Sequence, residues 1–289
     1  MNRPDFPRGQ DIFILPGMDT TTDSARTFGF MGAGRIVEIL LDSLGPAIGE
    51  GRGLIWNRTR LRAERLAERH GLEVQETPED LARNADRVLL AVKPKAVASV
   101  LTQAAPGMSP DTVLISMAAG VSIARLRSFF ATPPRIVRIM PNIALSVGLG
   151  MTAVCADENV SPEEVEEILG IFRRAGRARL VEEEWLDTVT ALSGSGPAFV
   201  FLFIESLADG AVLNGMSREA AYEFAAQTLQ GAARIILESG MHPGELKDIV
   251  ASPAGTTIAG IHVMERRAFR SIVMDAVDAA ARRSREISA

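Results

Sequence analysis

The sequence predicts an α/β protein, with a doubly wound, mostly parallel sheet in the first part of the chain and an all-helical domain after it. From Thr27 onward, short apolar runs alternate with segments of helical periodicity, the order that builds strand–helix–strand units. After about Leu180 such runs stop, Ala becomes frequent and helical segments continue to the end. A chain of 289 residues, 47% hydrophobic and 23% charged, has apolar material for buried cores and exceeds the commonest single-domain size. The expected organisation is a poorly ordered extension over 1–25, a sheet domain over 26–180 and a helical domain over 181–289.

The elements follow in order. Phe28–Met31 runs into glycines, and Ile36, Val37, Leu40, Leu41 and Leu44 recur at helical spacing behind them, so a first strand feeds a first helix. Gly53–Trp56 reads as a second strand, Val88–Val92 as a fully buried one, and Val113–Met117 and Ile136–Met140 as two more, with helical segments between most of them. Ser161-Pro162-Glu163-Glu164 starts a helix, with Ser161 as cap, Pro162 at the first helical position and Glu164 reaching back. Val165, Ile168, Leu169 and Phe172 then line its buried face. In the helical domain, Phe199–Ile204 is apolar on every side of a helix. A second copy of the chain is expected to cover part of it.

Composition excludes several classes of function. A net charge of -5 and a pI near 5.4 leave no basic footprint for nucleic acid or an anionic membrane surface, so small-molecule chemistry is expected. The longest strongly apolar run, Ala198–Ile204, is far shorter than the roughly 18 residues that span a bilayer, and no membrane crossing is expected. The first 25 residues show no charged-then-apolar secretory pattern. The single Cys155 excludes an internal disulfide and suits a reducing cytoplasm. The dispersed His70, His242 and His262 argue against a metal centre.

Gly32-Ala33-Gly34 forms the first part of a dinucleotide-binding turn. Gly32 allows the tight turn, and the missing side chain at Gly34 lets backbone approach a pyrophosphate at the helix N-terminus, which Arg35 and Ile36 open. The third small residue of that pattern is replaced by Val37, a position that governs helix-to-strand packing and implies a slightly displaced helix. At the end of the second strand, where an NAD-preferring site places a carboxylate, stand Asn57-Arg58-Thr59-Arg60. Arg58 suits the extra 2'-phosphate of NADPH, with Asn57 and Thr59 supplying hydrogen bonds; the alternative is that Arg58 and Arg60 only solubilise a helix start. Val92-Lys93-Pro94, Ala118-Ala119-Gly120 and Met140-Pro141-Asn142 each end a strand at the carboxyl edge of the sheet, where such folds bind ligands.

The most informative stretch is Ser252-Pro253-Ala254-Gly255-Thr256-Thr257-Ile258-Ala259-Gly260. A Pro/Gly loop entering a helix presents free N–H groups to a carboxylate, and Ser252 and Thr257 bring hydroxyls beside it. Helix capping by either hydroxyl is the structural alternative.

With Ile261-His262-Val263-Met264-Glu265 behind it, this loop resembles the diagnostic segment of pyrroline-5-carboxylate reductases. Leu192-Ser193-Gly194-Ser195-Gly196-Pro197-Ala198-Phe199 and Glu238-Ser239-Gly240-Met241-His242-Pro243 are similar to two further blocks of that family, and the similarity runs from about Thr27 to Ile287. The resemblance implies a Rossmann-type domain and a helical dimerisation domain. The implied reaction is reduction of the cyclic imine 1-pyrroline-5-carboxylate to L-proline by NADPH, with NADH left open as an alternative donor, in the cytoplasm. It also implies a homodimer, in some members assembled further into a decamer, and no partner that is nucleic acid or membrane. Carried over by position, Thr257 and Ser252 are the catalytic candidates, with Thr257 beside the imine nitrogen. Gly255 and Thr256 would hold the carboxylate through backbone N–H groups, and Glu183 would sit at the substrate pocket. The family's Met-Pro-Asn-Thr-Pro run is here Met140-Pro141-Asn142-Ile143-Ala144, which leaves open a paralogue acting on a related imine. A non-catalytic dinucleotide-binding protein is the other alternative. The 2-hydroxyacid and 6-phosphogluconate type of dehydrogenase is disfavoured, because Lys247, the only Lys beyond residue 181, lacks the Asn expected one turn on.

Overall fold

A computed structural model of the chain describes residues 26–45, 48 and 53–288; the expected extension over 1–25 lies outside them. Eight strands, β1 (Phe28–Met31), β2 (Gly53–Trp56), β3 (Glu73–Val74), β4 (Arg87–Leu90), β5 (Val113–Ser116), β6 (Arg135–Met140), β7 (Gly150–Ala156) and β8 (Gly176–Leu180), form one sheet in the order β3-β2-β1-β4-β5-β6-β7-β8. Neighbours are parallel except β6 and β7. The strand order reverses between β1 and β4, where Met31 lies opposite Leu90. That reversal opens a crevice at the carboxyl ends of the strands.

Helices α1 (Arg35–Leu44), α2 (Arg60–His70), α3 (Pro78–Asn84), α4 (Pro94–Ala104), α5 (Ile123–Arg127) and α6 (Pro162–Arg173) cover both faces. Strand side chains alternate, so Phe28 and Phe30 pack with α1, α2 and α6, while Met31 packs with α3, α4 and α5. This three-layer arrangement is the expected doubly wound sheet. The capping box at Ser161 forms as read: Glu164 N–H donates to Ser161 Oγ (3.3 Å) and Ser161 N–H to Glu164 Oε2 (3.1 Å). Glu164 does more than cap, because its Oε1 also receives Arg87 Nη2 (3.3 Å) and Arg135 Nη1 (3.0 Å) at the buried start of β4 and β6. Ile168, Leu169 and Phe172 are buried, and Val165 is partly buried.

Three strands escape the sequence pattern. β3 has only two residues, and β8 is an edge strand of sequence GRARL, largely exposed. β7 has a buried centre of smaller residues, Thr152-Ala153-Val154-Cys155, with Thr152 fully buried. Neither alternation nor a run of large apolar residues marks any of them.

After β8 come a single 3-10 turn (Glu183–Trp185), α7 (Leu186–Val189) and a π turn (Thr190–Gly194), then α8 (Gly196–Leu213), α9 (Arg218–Ser239), α10 (Pro243–Val250), α11 (Thr256–Arg266) and α12 (Phe269–Ser288). Contacts divide the described chain into one unit of residues 26–197 with 275–288 and another of 198–274. This division falls later than the sequence boundary at 180/181, because α7 packs on the sheet: Leu186 is buried with Ala153 and Cys155 of β7. The last turns of α12 belong to the same unit, where Ser284 Oγ donates to Asp187.

All three clusters of buried apolar residues lie in the sheet unit. In the helical unit the buried residues are alanines, Ala208, Ala221 and Ala225, while Phe201, Leu202, Phe224, Val263 and Ile272 are exposed. The continuous helical stretch Glu183–Leu213 contains an 18-residue window of mean hydropathy 1.5 and is long and apolar enough to cross a membrane by length and composition. Counting only uninterrupted apolar residues understates it, because Ser, Gly and Thr between them are nearly neutral. The exposed apolar residues also recur on α9, α11 and α12, so the uncovered surface is a multi-helix face rather than one rod.

Candidate active site

The cofactor candidates come together. Gly32–Ile36, Asn57–Thr59, Val92–Pro94 and Ala118–Gly120 directly follow β1, β2, β4 and β5, four strands that are neighbours in the sheet. Gly32 has φ 123°, and a Cβ there would meet the Ala91 carbonyl oxygen at 2.6 Å. Only glycine fits this turn. Gly34 faces open space, as close approach by a ligand requires. Val37 is fully buried in the core with Phe30 and Leu40, so the larger residue is absorbed inside the helix–sheet layer and not at the turn.

Helix starts separate the site from the scaffold. Among the described residues, nine α-helices begin from an extended N-cap residue. At α3, α5, α6, α9 and α10 a side chain of that residue (Thr77, Ser122, Ser161, Ser217, His242) accepts a backbone N–H. At α1, α2, α4 and α11, whose caps are Gly34, Thr59, Lys93 and Gly255, none does. These four follow the glycine turn, the Asn57–Thr59 run, Lys93 and the Ser252–Gly255 loop singled out from the sequence, whereas α5, behind the Ala118–Gly120 loop, is capped. Their first N–H groups have no intrahelical acceptor and are free for anions, which the helix dipole favours.

Arg58 and Arg60 separate clearly. Arg60 pairs with Glu64 (2.7 Å) and Glu76 (2.5 Å), whereas Arg58 is exposed and has no ion pair among the described residues. Arg60 therefore belongs to α2, and Arg58 is available to a phosphate. Asn57 requires a correction. It was expected to reach a phosphate, but its Oδ1 accepts the Ala33 N–H (3.1 Å) and its Nδ2 donates to the Thr59 carbonyl (2.9 Å). Ala33 lies in the same contact, with its N–H directed to Asn57. Lys93 is exposed and lies ahead of Pro94 at the start of α4. Ala118 N–H donates to the buried Ser116 Oγ (3.3 Å), and Gly120 has φ 75°.

In the helical unit, Ser252, Gly255, Thr256 and Thr257 lie in one turn. Gly255 was expected to offer its N–H to a carboxylate, but that N–H donates to the Ser252 carbonyl (3.1 Å). The free donors move one residue on, to Thr256 and Thr257. A Cβ at Gly255 would meet Ser252 Oγ at 2.3 Å, so glycine is needed to let the turn close. The N-cap position of α11 is Gly255, so neither Ser252 nor Thr257 occupies it. The non-glycine Ala254 sits at φ 56° in the same loop. Helices α10 and α11 are thus joined by a tight, strained turn.

Glu183 is anchored within the sheet unit. Its Oε1 accepts both the Ile123 N–H (2.7 Å) and Arg138 Nη1 (2.7 Å), bracketing α5, β6 and the approach to α7. It also lies close enough to Cys155 that its carboxylate, second to burial itself, pushes that thiol up to about 11. Two residues were quoted from the sequence without a role. Asn142 Oδ1 accepts the Met151 N–H (3.2 Å), and its Nδ2 donates to Ser193 Oγ (3.2 Å) in the π turn. A π turn followed by Gly196-Pro197 was the available signal, since π turns concentrate at functional sites. A cavity of about 380 Å³ bordered by Thr27, Gly53, Glu73 and Gln75 lies at the amino ends of the strands, opposite these loops.

A Rossmann-type sheet whose α1, α2 and α4 begin without a side-chain cap, in a chain that also carries the Ser252–Thr257 loop at the start of α11, has the fold of a dinucleotide-dependent oxidoreductase. Comparison with known proteins narrows the class. Residues 183–287 match the family model described as pyrroline-5-carboxylate reductase dimerisation, and residues 27–120 match NADP oxidoreductase coenzyme F420-dependent. The pyrroline-5-carboxylate reductase of Escherichia coli (strain K12) is 38% identical over 268 residues, covering 91% of this chain and 98% of that protein. That of Glycine max is 39% identical over 286 residues, covering 96% and 100%. The structure of the Plasmodium falciparum pyrroline carboxylate reductase with NADP bound matches with a TM-score of 0.82 at 33% identity, covering 91% of this chain and 98% of that one. The chain belongs to the pyrroline-5-carboxylate reductase family.

Proposed function

We propose that the chain reduces 1-pyrroline-5-carboxylate to L-proline with NADPH, the last step of proline biosynthesis. The observation that carries this is the match between the uncapped helices and the two anionic ligands the reaction needs. The α1 N-terminus faces the pyrophosphate, Arg58 and the α2 start take the 2'-phosphate, and the N–H groups of Thr256 and Thr257 hold the substrate carboxylate. When bound, the dinucleotide supplies the hydride that reaches the imine carbon. The chain itself supplies position and polarity. The Thr257 hydroxyl orients the imine nitrogen, and because a hydroxyl is a poor acid, the proton arrives with the protonated imine or through water. Ser252 lends its carbonyl to the turn that sets this geometry.

The uncovered apolar face of α8, α9, α11 and α12 supports a homodimer through the helical unit, with assembly into a decamer a further step, working in the cytoplasm. Glu205 and Asp209 within α8 favour a protein partner over lipid for that helix. The test is optical: NADPH oxidation by purified protein on adding 1-pyrroline-5-carboxylate, with its six-membered and 2-carboxylate analogues alongside. Fast turnover of the 5-carboxylate is expected. Turnover of an analogue alone would move the assignment to a related imine, and binding without any turnover would remove the enzyme assignment.

A further inference from the structure

We infer that Asn57 is a positioning residue that clamps the glycine turn after β1 to the turn after β2, holding the two phosphate sites of the dinucleotide as one piece. This rests on the NADPH reading above. The parallel ladder between β1 and β2 ends with Gly32 N–H donating to the Trp56 carbonyl (2.8 Å). One residue further the strands have diverged, and the Asn57 side chain takes the place of the missing backbone partner by accepting the Ala33 N–H at 3.1 Å. Its other end donates to the Thr59 carbonyl at 2.9 Å, the cap residue of α2. The starts of α1 and α2, both uncapped, are therefore tied through one carboxamide.

The chemistry demands Asn. One end must accept and the other must donate, which a carboxylate cannot do, and a serine hydroxyl lacks the reach to do both. An Asp here would also set a negative charge beside the 2'-phosphate. With Asn57 turned inward, the neighbouring Arg58 is left exposed and without an ion pair among the described residues. Asn57 holds the loops while Arg58 recognises the phosphate. Their losses should therefore have different signatures, because the pyrophosphate is common to NADPH and NADH whereas the 2'-phosphate is not.

The experiment is calorimetric binding of NADPH and NADH to the full chain and two variants. Asn57→Ala, losing two hydrogen bonds, is expected to raise the NADH Kd about tenfold and the NADPH Kd by at least as much. Arg58→Ala should weaken NADPH about tenfold or more while NADH stays within roughly twofold. An unchanged NADH affinity in Asn57→Ala, whatever happens to NADPH, would overturn the clamp. A second measurement needs no variant: in the ligand-free native chain the Ala33 amide proton should be protected from exchange, and free exchange would overturn the proposal equally. A native chain that binds neither dinucleotide but protects Ala33 would instead sink the cofactor reading and leave the clamp standing.

Discussion

Phe30, Val37, Leu40 and Ile55 of the sheet unit are 1% exposed or less, whereas Phe201, Leu202 and Phe224 of the helical unit are 61–64% exposed. Both units carry the apolar residues of a folded core, yet only the sheet has enclosed them within one chain. Helices covering both faces of a sheet close its surface locally. The helices of the other unit bury only Ala208, Ala221 and Ala225 and leave their large apolar residues outside. The sheet half encloses its own core, and the helical half exposes the apolar surface proposed above for a second copy.

The sharpest way to break that contrast is Phe201→Asp. A carboxylate in the middle of a buried interface costs several kcal/mol, so the native mass measured by light scattering should fall to that of one chain. Imine reduction should be lost while NADPH binding stays; an unchanged mass would mean that Phe201 is not covered by a partner. Next in size is Thr257→Val, which keeps the shape of α11 and removes the hydroxyl. Turnover should drop roughly a hundredfold, the scale of losing one polar group at a reacting centre, with the NADPH Kd unchanged. An unchanged rate would remove Thr257 from the mechanism.

Smaller effects sharpen the comparison from the side of stability. Ala254 holds a left-handed conformation at φ 56°, which costs a non-glycine residue about 1 kcal/mol. Ala254→Gly should raise the free energy of unfolding, measured by denaturant titration, by up to about that amount, and a lower value would show that the methyl group is held by contacts worth more than the strain. In the sheet unit, burial, reinforced by Glu183, raises the Cys155 thiol from 9.0 to about 11. The unfolded chain therefore loses its thiol proton first as pH rises. The stability this contributes is complete below pH 9 and disappears toward pH 11. Denaturant titrations at pH 8 and pH 10.5 should show a drop that is smaller in Cys155→Ala. An equal drop in both proteins would assign it to other groups.

The sequence by itself determined the strands β1, β2, β4, β5 and β6 in their order between Thr27 and Met140, the glycine turn, the capping box at Ser161 and the Ser252–Thr257 loop. These are local signals, written in apolar period, in φ requirements and in cap chemistry. The antiparallel β7 and the polar edge strand β8 were not legible, because small residues and alternating Arg carry no apolar signature and their pairing is made only by neighbours distant in the chain. Residue types at Asn57, Gly255 and Glu183 were noticed for the right loops, yet their partners were decided by tertiary structure. Asn57 found the Ala33 N–H, Gly255 found the Ser252 carbonyl, and Glu183 found Arg138 and the start of α5. A polar side chain has several donors or acceptors within reach of its type, and which one it meets is set by the approach of another segment. Periodicity along the chain carries no information about that approach.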